Sequence, residues 1–307
     1  MTTWCNGLNT IPTIFYDYIK SVGLSLRYPI EYINFISIDY DLEDGDLQMS
    51  GENEDISIPD IEEVFTTDDY LYFYEDKLTE ERTENEVEFL EEQLELEEGM
   101  KILDLACGIG RHANLLSERG YEVTGVDITS DFLEIAEEES EERGVDVDYI
   151  EEDMREISYE EEFDRIILVY TSFGYFDDEE NLQVLENVSE ALKPGGLFCF
   201  DTLNRDVFLK HFSPYVVKEK GNDMMIDRNE FDFATGRWEN KRIVIKDGEK
   251  IEKPFTIRLY SLTEIIDLLD EAGFEIYNTF GDWDGTSLSE DSRRMIIIAK
   301  KREQDLK

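Results

Sequence analysis

The sequence predicts an α/β fold: a doubly wound, seven-stranded, mostly parallel sheet with an antiparallel β insertion. Three observations carry this expectation. Short apolar segments alternate with amphipathic helical ones from Lys101 to Phe200. One of them, Phe163 to Val169, reads as a fully buried interior strand. Beyond Phe200 the alternation stops, and three strand-like segments follow, parted by Thr235-Gly236 and Asp247-Gly248.

In chain order, Tyr70, Tyr72 and Tyr74 precede a helix over about Thr79 to Leu96, with Val87, Leu90 and Leu94 as its apolar face. A strand at Ile102 to Leu105 leads through glycines into a helix from Ala113. Strand Glu122 to Val126, helix Asp131 to Arg143 (Leu133 and Ala136 inward) and strand Val147 to Ile150 continue the winding. Asp177 and Glu180 form a capping box for helix Asp178 to Leu192, which Pro194-Gly195-Gly196 stops before the fifth strand, Leu197 to Phe200. The insertion's strands are Asp223 to Phe233, Arg237 to Lys246 and Lys250 to Tyr260. A second capping box, Ser261 and Glu264, opens helix Leu262 to Ala272. Strands Phe274 to Phe280 and Met295 to Ala299 close the sheet. Residues 65–307 thus form the main domain, with 206–260 as a β insertion. It leaves from the carboxyl edge of the strands, where such sheets bind ligands, and is placed to act as a lid. Residues 1–64 form an extension without a motif for chemistry. Within it Tyr32, Asn34, Ile36 and Ile38 fit one face of a strand, and 39–60 reads as an acidic linker. A packing or homodimerisation appendage is the plain reading of this segment.

The stretch KILDLACGIGRHA, Lys101 to Ala113, combines a strand, a glycine turn and a helix start, the arrangement of a nucleotide-cofactor cradle. Gly108 and Gly110 let the backbone approach a ligand. With Ala113 they also satisfy the dinucleotide pattern G-x-G-x-x-A. Asp104 separates the readings: a carboxylate aimed at the turn repels a pyrophosphate and favours an α-ammonium group, which S-adenosylmethionine has. Asp127, ending the second strand, suits two ribose hydroxyls. Asp153 and Met154, after the third, suit an adenine amine and ring.

The segments ILDLACGIG, GVDIT, EEDM and LKPGG, in this order, resemble the motif series of class I S-adenosylmethionine-dependent methyltransferases. The likeness spans about Phe65 to Lys301 and implies a Rossmann-like fold. It implies cofactor contacts at Asp104, Gly108, Gly110, Asp127 and Asp153. Ala106 stands where many members have glycine. Ile128 and Tyr170 complete the candidate set. Tyr74 resembles a tyrosine that related members direct at the cofactor's methionine end; core packing is its other reading. SFGYF (Ser172 to Phe176), Asn204-Arg205, RLYS (Arg258 to Ser261) and the FGDWDG run are similar to a subgroup that includes amino-sugar N-methyltransferases. On the acceptor side, Tyr175 is a candidate for stacking or hydrogen bonding, with core packing as its alternative. Asn204, Arg205 and Arg258 are further candidates, the arginines either holding an anionic group or pairing with surface acids. His211 is either a base or structural. Because the sulfonium is already activated, positioning and water exclusion supply much of the catalysis, and the sequence nominates no catalytic residue.

The chain carries 76 acidic against 29 basic residues, net −47, with ordinary apolar content. Such a surface suits a salt-rich cytosol, the plainer reading being an acidic mesophilic protein. It offers no basic stripe for nucleic acid. Tyr170-Thr171-Ser172 also lacks the Asn/Asp-Pro-Pro-aromatic run of enzymes that methylate base amines. Cys5, Cys107 and Cys199, with two histidines, show no metal-ligand spacing. No signal-peptide pattern and no membrane-length apolar run is visible, so the expected location is cytoplasmic. The expectation is a salt-adapted enzyme methylating N or O of a small molecule. Its rivals are a protein or RNA methyltransferase, a silent S-adenosylmethionine-binding module, and a dinucleotide oxidoreductase.

Overall fold

The computed structural model describes residues 64–303; the strand expected around Tyr32 to Ile38, the acidic linker and Cys5 lie outside them. Helix α1 (Thr67–Tyr74) and a 3₁₀ turn (Glu75–Lys77) lead to α2 (Glu80–Gln93), capped by the Thr79 side chain. Then come β1 (Lys101–Leu105), α3 (Arg111–Glu118), β2 (Glu122–Asp127), α4 (Ser130–Arg143), β3 (Val147–Glu151), β4 (Phe163–Leu168), α5 (Asp178–Ala191) and β5 (Leu192–Leu203). After α6 (Arg205–Lys210) the insertion comprises β6 (Tyr215–Lys220), β7 (Asp223–Asp232), β8 (Arg237–Lys246) and β9 (Glu249–Arg258). Helix α7 (Leu262–Glu271), β10 (Phe274–Phe280) and β11 (Arg294–Lys301) follow.

The main sheet has the order β10-β11-β5-β4-β1-β2-β3, with β11 antiparallel to both its neighbours and the other pairs parallel. This is the expected doubly wound sheet of seven strands. Its two faces bury two cores. Leu103 and Leu105 of β1 pack with Val184, Leu185 and Val188 of α5 and Ile265 and Leu269 of α7. Ile102 packs on the other face with Val87 and Leu90 of α2 and Ala113 and Leu116 of α3. The period of two therefore puts Asp104 on the α3 face, directly below the glycine turn. Both expected capping boxes form, at Asp177/Glu180 and Ser261/Glu264.

Three local features differ from expectation. Tyr70, Tyr72 and Tyr74 do not merely precede a helix; they belong to α1, where Tyr70 and Tyr74, one turn apart, stack at 5.2 Å. The Pro194-Gly195-Gly196 stretch does not precede β5 but lies inside it as a bulge, where the pairing jumps from Phe163↔Leu192 to Arg165↔Leu197. The insertion sheet has four strands, β6-β7-β8-β9, the first being unforeseen. At its β8–β9 turn Asp247 and Gly248 both have positive φ, 53° and 83°, as a tight right-twisting hairpin requires.

Candidate active site

The turn after β1 is built from left-handed backbone. Ala106, Gly108 and Gly110 have φ of 54°, 56° and 71°. Gly110 is the N-cap of α3, and a Cβ there would lie 2.2 Å from the Tyr149 hydroxyl and 2.7 Å from the Ala136 methyl, so only glycine fits. At Gly108 a Cβ would meet nothing within 4 Å, because the turn there opens onto a cavity of about 410 Å³. Ala106 also lines this cavity and holds a conformation that costs an L-residue about 1–2 kcal/mol.

Asp104 lies at the cavity floor, 1 % exposed, and neither carboxylate oxygen has a hydrogen-bond partner among the described residues. Burial pushes its pKa up to about 7, Arg111 opposing and Asp127 adding to the rise. Asp127, at the end of β2, accepts the Gly108 and Thr129 backbone N–H groups at 2.7 and 2.9 Å. Burial raises its pKa, and these hydrogen bonds restrain the rise. Ile128, Asp153 and Met154 line the same wall. The Asp153 carboxylate is engaged by Arg155 at 2.6 Å; burial works against its charge, but Arg155 wins and holds its pKa below the ordinary value.

Beneath the turn lies a network that sequence reasoning missed. Glu86 of α2, 1 % exposed, meets Arg82 at 2.8 Å, Arg111 at 2.8 Å and His112 at 3.0 Å. Burial disfavours its charge, but His112, Arg111 and Arg82 outweigh it and bring its pKa down to about 2. Burial and Arg111 lower His112 to about 4, so its ring is neutral near pH 7. Arg82 and Arg111 flank the Tyr170 ring, 5.3 and 4.8 Å from its centroid. Tyr170 and Thr171 both have positive φ, 72° and 64°, and Asp201 of β5 holds this strained turn by accepting both backbone N–H groups. Arg294 pairs with Asp201 from β11.

The opposite wall comes from α1 and the insertion. Tyr74 and Tyr175 line the cavity with Phe65, Tyr70, Trp238, Arg242 and Phe255. The structure does not bring the other acceptor-side candidates there. Arg205 pairs with Glu264 at 2.6 Å, and Arg258 with Asp178 and Glu264 at 3.0 and 2.9 Å. Asn204 caps α6 and donates to the Ser292 carbonyl at 2.9 Å. His211 is exposed at the end of α6, away from the cavity lining. For the arginines, pairing with acids is the outcome the structure displays. Arg242 carried no motif, and its partner Asp227 is its cross-strand neighbour, a relation visible only once the β7–β8 register is known.

These residues fit S-adenosylmethionine. The orphaned Asp104 carboxylate suits an ammonium group, the open face of Gly108 admits a ligand against the backbone, and Arg111 offers positive charge near Asp104. Among the described residues no cluster with metal-ligand geometry occurs, and no helix is long and apolar enough to cross a membrane.

Comparison with known proteins points the same way. Residues 102–196 match the model of a methyltransferase domain. The chain is 24 % identical over 218 residues to the putative methyltransferase YqeM of Bacillus subtilis, covering 67 % of this chain and 86 % of that protein. It is 26 % identical over 258 residues to the glycine/sarcosine N-methyltransferase of Halorhodospira halochloris, covering 78 % and 92 %. Among solved structures, an S-adenosylmethionine-dependent methyltransferase from Clostridium acetobutylicum shares the fold with a TM-score of 0.65 at 19 % identity, covering 72 % of this chain and 92 % of that one. The sugar N-methyltransferase KedS8 from Streptoalloteichus does so at 0.58 and 18 %, covering 85 % and 99 %. With the matched domain, the sheet order and a cavity built around Asp104 and the glycine turn, the chain is a class I S-adenosylmethionine-dependent methyltransferase.

Proposed function

We propose that this enzyme methylates a nitrogen or oxygen of a small-molecule acceptor in a salt-rich cytoplasm. One observation carries the small-molecule reading: the glycine turn and the aromatic insertion wall face a single cavity of about 410 Å³. Its volume falls in the ordinary small-ligand range, and Phe65, Tyr70 and Tyr74 contribute to the wall opposite the turn.

When bound, S-adenosylmethionine supplies a methyl group already activated by its sulfonium. The residues of this chain bind, orient and exclude water. Asp104 takes the ammonium group, Asp127 the ribose hydroxyls, and Ile128 and Met154 pack the adenine. Tyr70, Tyr74 and Tyr175 keep the acceptor end dry. Burial raises the pKa of all three, so their hydroxyls stay protonated at neutral pH, and His112 is held by Glu86. These groups therefore serve as walls and hydrogen-bond donors, and an amine acceptor enters as its free base. Rate then comes chiefly from alignment at about 3–3.5 Å.

A labelled-methyl assay at high salt tests this, over a metabolite panel with total RNA and protein alongside. Label is expected in one or a few small molecules. Incorporation confined to RNA or protein would overturn the acceptor class, and none at all would favour a silent binding module.

A further inference from the structure

Four carboxylates line the cavity: Asp104, Asp127, Glu152 and Asp153. All stand at or just beyond the ends of β1, β2 and β3, on the cofactor side. Among the described residues none comes from the insertion wall, although acids outnumber bases 76 to 29 in the chain. That wall presents Arg242 instead. Arg242 is 5 % exposed, and its guanidinium lies 4.9 Å from the Phe255 ring centroid. Asp227 accepts from Nε at 2.7 Å and Nη2 at 3.3 Å, which fixes the plane of the fork. Beside Asp227, the Tyr74 hydroxyl is the guanidinium's other hydrogen-bonding neighbour, and among the described residues no acid but Asp227 pairs with Arg242.

Two more cations converge on Tyr74. Lys77, Lys218 and Arg242 lie 5.6, 5.3 and 5.9 Å from its ring centroid. Lys218 pairs with Asp76 and Arg242 with Asp227, while Lys77 has no ion pair among the described residues. Burial, and after it Lys218, lowers the Lys77 pKa. An anion in reach of Arg242 and Lys77 offsets positive charge that burial makes costly. It also gains a charge-assisted bond in a partly desolvated site. Arg82 and Arg111 line the cofactor side of the cavity, and Arg242 is the buried cation of the opposite wall.

Building on small-molecule methyl transfer, we propose that the acceptor carries a carboxylate or phosphate group and that Arg242 binds it, with the Tyr74 hydroxyl beside it, on the guanidinium edge that Asp227 leaves open. Phe65, Trp238 and Phe255 pack its body. The anion is the handle, and the methylated atom lies on the side facing the glycine turn. A positive wall also lets an anion enter a body whose net charge of −47 otherwise repels it.

The test is calorimetric titration of the full chain, loaded with S-adenosylhomocysteine, with benzoate, phenyl phosphate and benzamide. At least one anion is expected to bind tenfold or more tighter than benzamide, and the better one identifies the handle. Arg242→Gln should abolish that preference at unchanged S-adenosylhomocysteine affinity. Arg242→Lys, which keeps the buried charge on Asp227 and so guards against misfolding, should leave an intermediate preference. Equal binding of all three probes, or an anion preference that survives Arg242→Gln, overturns the proposal. So does an equal loss of S-adenosylhomocysteine affinity, which would place Arg242 at the cofactor. The readout is binding, so failure of the methyl-transfer assay would be seen separately.

Discussion

A buried carboxylate with no partner, as at Asp104, weakens the fold that contains it. Its pKa of about 7 lies above the unfolded value near 4, so the folded chain binds the extra proton between those limits. Without cofactor, stability should therefore fall as pH rises from about 4 to 7. Cofactor affinity should change in the opposite sense, rising with pH through about 7 as the carboxylate ionises to meet the ammonium group. Asp104→Asn should flatten both trends, leave the cofactor-free protein at least as stable, and weaken S-adenosylmethionine binding by tenfold or more. Melting curves and calorimetry across pH check this; an unaltered pH profile in the variant would refute the assignment. That Asp104, Gly108 and Asp127 meet at one cavity is legible in the sequence because strand-turn-helix spacing is local. Arg205 and Arg258 read either way in the sequence, as anion ligands or as partners of acids, and in the fold Glu264 and Asp178 hold them. Arg242 could not be chosen, because its meaning depends on a register between strands.

Helices α2 and α3 are joined by one acid serving three bases. Glu86 is fully paired, and removing its charge strands the buried Arg111 guanidinium and takes the partner of the more exposed Arg82. Glu86→Gln should cost about 3 kcal/mol, by analogy with broken buried pairs, and should loosen the Tyr170 turn that both arginines flank. The wild-type cluster is acid-labile. Glu86 has a depressed pKa, so its contribution is present above about pH 4.5 and lost as pH falls towards 2. Neutral His112, also depressed, loses its contribution as pH falls from about 6.5 to 4. Urea titration of the variant measures the first effect, and acid titration of the wild type the second. Elements with long periodic patterns or capping boxes, such as α2, α5 and α7, were readable in the sequence. Helix α1 was not: its eight residues carry alternating tyrosines, and its place is set by Tyr72 bonding Asp223 and Lys253 bonding Asp69 across the insertion.

At the scale of the whole molecule, charge repulsion dominates. Ion pairs such as Lys218–Asp76 and Lys220–Glu75 tie the insertion to the segment after α1, and salt weakens them. The excess of 47 negative charges outweighs them. Raising NaCl from about 0.1 M to 1 M shortens the screening length from about 10 to 3 Å. Melting temperature should therefore climb over that range; a flat or falling curve would remove the case for salt adaptation. The sequence by itself determined the sheet, its winding and the cofactor turn, because hydrophobic period, glycine conformation and capping act over a few neighbouring residues. Only the tertiary structure decided which charges face the acceptor. That choice depends on cross-strand partners and on which acids reach which bases, relations between residues far apart in the chain.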